Sequence, residues 1–225
     1  MLSLSKPLQE FYRLDKCLSK HGTRFEFVND KEIICSPDES NTHTFVILEG
    51  VVSLVRGDKV LIGIVQAPFI FGLADGVAKK EAQYKLIAES GCIGYRLSSS
   101  QTLAIIEQNQ LWREAFCWIV WKSQVLELRD KQLIGNNSYD QIRATLMTMI
   151  EWDEELRSRI GVMNYIHQRT RVSRSVVAEV LAALRKGNYI EMNKGKLISI
   201  KEGANKQVIS SQADSLIKIS RIWAD

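Results

Sequence analysis

Ten arginine and lysine side chains fall between Arg157 and Lys201, against only Glu179 and Glu191 as acids. That surplus of eight positive charges is twice the net +4 of the whole 225-residue chain, so the remainder is mildly acidic. Cations gathered on one short module suit a polyanion, because each phosphate they neutralise releases a condensed counterion. Within the module the residue types are specific as well as basic. Ser173 stands where a helix N-cap belongs, since its hydroxyl can accept from a free N–H of the first turn. Val176, Val177, Val180, Leu181 and Leu184 recur at helical spacing and leave Arg174, Ser175 and Glu179 on or near the outer face. An arginine at the start of a helix lying in the major groove can bond guanine O6 and N7 together. Lys194 and Lys196 fall on a turn further on, in reach of phosphate. Together with Arg169 and Arg171, just upstream, these are the expected DNA-binding residues.

Those side chains need a frame to hold them. Gly187-Asn188 stops the helix, as both residues tolerate positive φ. The apolar runs 189–192 and 197–200 flank Asn193-Lys194-Gly195-Lys196, a good hairpin turn. Residues 157–200 thus read as a helix-turn-helix followed by a β-hairpin wing. Gly135-Asn136-Asn137-Ser138 makes a hinge, and 139–150 the first helix beyond it. The acids Glu151, Asp153, Glu154 and Glu155 read as a solvated turn rather than a catalytic carboxylate set.

Ahead of the hinge, 101–134 holds no proline or glycine, which allows one long helix or two joined ones, capped by Ser98-Ser99-Ser100. Trp112, Phe116, Ile119, Leu126 and Leu133 form one apolar line on it, and Trp118, Trp121, Val125 and Leu128 a second. A stripe that wide exceeds one neighbour, so a second copy of the chain is expected against Trp118, Trp121, Val125 and Leu128. Further upstream, β-rich runs at 24–28, 32–35, 44–48, 51–55, 60–65, 85–88 and 92–97 alternate with turn residues and indicate an antiparallel roll. Leu8, Phe11, Tyr12 and Leu14 suggest one helical face before it, and Leu216, Ile217, Ile219, Ile222 and Trp223 a short amphipathic helix at the end.

Other chemistries lack their residues. Cys17, Cys35, Cys92 and Cys117 are scattered with no CxxC pair, and His21, His43 and His167 form no metal set. A haem ligand at His43 or Cys92 would stand alone, and no nucleophile–base pair or phosphate loop points to an enzyme. No cofactor or metal is expected. No secretory signal or membrane span is written, so a cytoplasmic protein with reduced thiols and no membrane partner is expected. Cys17, flanked by Arg13, Lys16 and Lys20, is the best candidate for a redox-sensing thiol.

The order of parts over about residues 20–200 resembles the CRP/FNR family of bacterial transcription regulators, most specifically in SRSVVAEVLAALRKGNYI. The resemblance implies an α+β fold. A cyclic-nucleotide-binding-like β-roll with an N-terminal helix would occupy 1–97, a dimerisation helix and hinge 98–135, and a winged helix-turn-helix 136–200. A peripheral extension, 201–225, would follow. It implies that Arg174 reads guanine and Ser173 touches phosphate. Ser175 and Glu179 fall where many members carry glutamate and arginine, and Arg171 where a turn glycine is common. In cyclic-nucleotide-binding members a Gly-Glu pair bonds ribose and a later arginine meets the cyclic phosphate. Here Gly72 is followed by Leu73, and Gln83 with Tyr84 stands near the arginine position. Leucine cannot accept that bond and glutamine cannot balance the charge, so the effector pocket is degenerate. The implied partners are a palindromic DNA operator, a second copy of the chain and RNA polymerase. A narrower likeness within the family implies a part in the oxidative-stress response. The alternative is a protein-interaction, small-molecule or redox sensor module with a degenerate DNA reader.

Overall fold

In the computed structural model, which describes residues 4–28, 32–36, 42–57, 60–78, 84–89 and 91–201, strands dominate up to Ser98 and helices thereafter. The chain divides into two units, Met1–Arg129 and Asp130–Asp225.

The first unit opens on α1 (Leu8–Leu18), which buries Phe11, Leu14 and Leu18 and leaves Leu8 and Tyr12 exposed. Eight strands follow among the described residues: β1 (Thr23–Phe27), β2 (Ile33–Cys35), β3 (His43–Glu49), β4 (Val51–Arg56), β5 (Val60–Gln66), β6 (Phe69–Phe71), β7 (Tyr84–Ala88) and β8 (Cys92–Ser98). They form two antiparallel sheets, ordered β1-β8-β3-β6 and β2-β7-β4-β5. Buried side chains from both sheets join those of α1 in one core, where Phe45, Val46, Ile47, Leu86 and Tyr95 lie. The β3–β4 turn needs Gly50: its φ is +98°, and a Cβ there would sit 2.3 Å from the Gly91 carbonyl oxygen. β6 and the one-and-a-half-turn α2 (Leu73–Ala78) are not signalled by sequence, being too short to show a period.

Ser98 caps α3 (Ser99–Gln108) in a reciprocal box with Gln101. A break at Asn109-Gln110, where Gln110 takes φ +54°, separates it from α4 (Trp112–Leu133), so the two-helix alternative is the one that forms. The face of α4 bearing Glu114, Ala115 and Trp118 turns inward. Trp118 is 1% exposed, stacks near Phe11 and Phe69, and donates its indole N–H to the Ile70 carbonyl at 3.0 Å. This corrects its expected place against a second chain. An indole must satisfy its N–H when buried, and β6 supplies the acceptor.

The second unit holds the last turn of α4, then α5 (Ser138–Ile150), α6 (Glu154–Arg159), α7 (Val162–Thr170), α8 (Arg174–Lys186) and a hairpin of β9 (Ile190–Asn193) and β10 (Lys196–Ile200). Ile142, Leu146, Met149, Leu156, Tyr165, Ile166, Val177, Leu181 and Leu197 are buried in it. The acidic stretch is a helix start: Asp153 caps α6 and Glu154 and Glu155 sit in its first turn, where the helix dipole favours negative charge. The hinge is braced as well. Asn136 donates to the Lys131 and Gln132 carbonyls, Asn137 caps α5, and Gln141 donates to the Asn136 carbonyl. None of the described helices is long and apolar enough to cross a membrane. The expected amphipathic set around Leu216 lies outside the described residues.

Candidate nucleic-acid interface

α7 and α8 form the helix-turn-helix. α7 ends on Arg171 in the left-handed conformation (φ +65°), whose N–H bonds the His167 carbonyl. The tight turn is held by two side chains that sequence reading missed. His167 Nδ1 lies 2.8 Å from the Val172 carbonyl, and a carbonyl only accepts, so that nitrogen carries the proton. Thr170 Oγ1 accepts from the Val172 N–H at 3.2 Å. Ser173 then caps α8, accepting from the Val176 N–H at 3.4 Å, and its hydroxyl meets that of Ser175 at 3.1 Å.

This start presents Arg174, Ser175 and Glu179 to solvent while Val177, Val180, Leu181 and Leu184 are buried. Each buried side chain contributes roughly 1.5–3 kcal/mol to holding the helix. Arg174 Nη2 donates to Asn164 Oδ1 on α7 at 3.3 Å. At the far end Asn188, not Gly187, adopts the positive φ, +57°. The wing turn is Lys194-Gly195, with φ +46° and +78°, as a two-residue type I′ turn requires.

One expected contact is corrected. Arg169 is 7% exposed: its guanidinium bonds Tyr165 Oη at 3.3 Å and Gln132 Oε1 at 3.1 Å, so it fastens the last turn of α4 to α7 and cannot reach DNA. Lys196, just past the wing tip, also donates to the Arg159 carbonyl, which leaves it two further ammonium N–H donors and its charge. Lys194 is exposed at the tip, and the neighbouring Gly195 carbonyl accepts from the Val162 N–H that opens α7, docking the wing on the helix pair.

In the first unit, Gly72 takes φ +84° and Leu73, 4% exposed, opens α2; Tyr84 begins β7, half-buried, and Gln83 lies outside the described residues. A feature unseen in sequence sits beside them. Lys122 of α4 places its ammonium 5.1 Å over the Phe71 ring, and burial pulls its pKa down, with Asp75 partly opposing. Cys17 is half-buried against the core, and Cys35 and Cys92 are buried with their thiols on the Ser36 and Val51 carbonyls. Trp121 is half-buried beside Phe69, whereas Val125 and Leu128 are exposed, as are Trp112 (45%) and Phe116 (66%).

Residues 138–203 match a family model described as winged helix-turn-helix DNA binding. The inhibitor of hydrogen peroxide resistance from Escherichia coli K12 is 70% identical over 200 residues, spanning 89% of this chain and 97% of that one. Among solved structures, the c-di-GMP-responsive global regulator CLP of Xanthomonas campestris superposes with a TM-score of 0.71 at 12% identity, covering 84% of this chain and 99% of that one. A transcriptional regulator of the CRP/FNR family from Eubacterium rectale gives 0.60 at 12% identity, with 91% and 98% covered.

Proposed function

We propose that the chain, which belongs to the same family as the inhibitor of hydrogen peroxide resistance, is a homodimeric, sequence-specific DNA-binding transcription regulator of the CRP/FNR type. One observation carries the reading. The exposed start of α8, with Ser173, Arg174, Ser175 and Glu179, lies on the module that holds the positive surplus. Arg174 is the base-reading residue, Arg171 and Lys194 the phosphate contacts, and Ser173 both cap and phosphate neighbour.

Two readers on a two-fold axis bind a palindromic operator. The seam that supports this dimer is Trp112, Phe116, Ile119, Ser123 and Leu126, spaced 4, 3, 4 and 3 along α4 as a coiled-coil seam requires. It is the apolar line turned away from buried Trp118, whereas Val125 and Leu128 follow Trp118 at seven and ten positions and lie on its side of α4. Dependence on a cyclic nucleotide is lost: Leu73 stands at the ribose contact and Lys122 closes on Phe71. The protein acts in the cytoplasm on genes of the oxidative-stress response, with RNA polymerase as its further partner.

The test is fluorescence anisotropy on duplexes selected from genomic fragments, over a salt series, with wild type and Arg174→Ala. Affinity should fall steeply with salt, and the variant should lose the preference for the selected duplex. Equal preference in the variant, or binding insensitive to salt, overturns the proposal. Calorimetry with millimolar cyclic AMP should show no saturable heat.

A further inference from the structure

We propose that Asn164 of α7 is a positioning residue for DNA reading: it holds the Arg174 guanidinium in its reading posture before DNA arrives. The inference rests on the reading of Arg174 as the base contact. Among the described residues, Arg174 makes a single hydrogen bond, from Nη2 to Asn164 Oδ1 at 3.3 Å across ten positions of sequence. Both side chains are exposed, so neither is needed to fill the core.

The chemistry of the pair suits the task. A guanidinium can only donate, so the amide must face it with oxygen, and its NH2 group points away from Arg174. One N–H of Nη2 is spent on Asn164. The second N–H of Nη2 and both of Nη1 stay free, which is the end-on fork that matches guanine O6 and N7. An amide acceptor also leaves the arginine its full charge. A carboxylate partner would neutralise it and would repel the phosphates beside the groove. Freezing a long side chain is one of the costs of association, and a partner that orders it in the free protein lowers that cost for the matched site. Backbone supports the placement on both sides. Val162, Tyr165 and Ile166 are buried and fix the roll of α7, and the Arg171–Ser173 turn, braced by His167 and Thr170, sets the start of α8 against it.

A double-mutant cycle tests the idea. The site is selected by wild-type protein from a pool of random duplexes, and anisotropy is read on that duplex and on a scrambled one. Wild type, Asn164→Ala, Arg174→Ala and the double variant are compared. Asn164→Ala should weaken the selected duplex about three- to tenfold and leave the scrambled duplex unchanged, the size expected from re-freeing one side chain. In the Arg174→Ala background the same change should have no effect. Asn164→Asp keeps the acceptor, so it should retain the ratio of selected to scrambled binding while weakening both. The inference is overturned if Asn164→Ala weakens binding by the same factor with and without Arg174, or changes nothing. If Arg174→Ala binds the selected duplex as well as wild type does, the placement of the reading arginine fails, and the inference with it.

Discussion

Arg174, Arg171 and Arg169 lie within six positions, carry the same charge and have three different fates. Arg174 is exposed at a helix start and bonded to an uncharged amide, and base reading is the role proposed for it. Its loss should cost about 1–3 kcal/mol at one base pair of each half-site and relax specificity there. Arg171 is exposed but occupies left-handed backbone, which disfavours any residue with a Cβ. Arg171→Gly should therefore raise stability by about 1 kcal/mol, measured by thermal melting, and should flatten the salt dependence of DNA binding by removing a phosphate contact. A variant that melts below wild type would refute the strain argument. Arg169 is a buried strut. Arg169→Ala should destabilise by about 1–3 kcal/mol, because Gln132 and Tyr165 lose their partner, with the ratio of specific to nonspecific binding unchanged in the folded protein.

At the level of elements, short helices and strands are held by polar brackets at their ends. Ser98, Asn137, Asp153 and Ser173 each cap a helix, and each cap is worth roughly 1 kcal/mol. α1 is tied to the roll differently. Tyr95 of β8 is buried and donates its hydroxyl to Asp15 Oδ1 at 2.7 Å, and α1 is tied to α4 by Arg13 and Glu114 at 2.9 Å. Burial, and then the Asp15 carboxylate, hold the Tyr95 hydroxyl well above its ordinary value. In the unfolded chain it ionises from about pH 10, while in the fold it keeps its proton, so the unfolded state binds fewer protons and stability falls as pH rises past 10. In Tyr95→Phe that alkaline fall should be shallower when urea midpoints are compared between pH 8 and 11. Parallel curves would remove Tyr95 from the account.

At the level of the whole molecule, the proposed dimer rests on the outer seam of α4. Phe116 at 66% exposure and Trp112 at 45% are costly on a lone chain and natural against a second copy. Phe116→Glu would place two like charges on the axis without partners. It should give monomers by sedimentation and lose tight binding to a palindromic duplex, because one half-site alone holds little affinity. Val125→Glu, on the Trp118 side of α4, should affect assembly far less. If Val125→Glu dissociates the dimer and Phe116→Glu does not, the seam lies on the Val125 and Leu128 side of α4 instead.

Much of this protein is written in local order. The winged module is legible because caps, helical spacing and the Lys194-Gly195 turn are short-range signals that tertiary context only reinforces, and the strands of the roll alternate openly. Sequence alone also located the charge, since counting needs no coordinates. What tertiary structure decided are the questions of partner. Trp118 and Phe116 are both aromatic and two positions apart, and only the Ile70 carbonyl and the Phe11 and Phe69 rings determine which one is sealed inside. Arg169 and Arg174 look alike until Gln132 and Asn164 are brought beside them across 37 and 10 positions. Periodicity tells which face a residue is on. What that face meets depends on contacts between segments remote in the chain, and those exist only once it has folded.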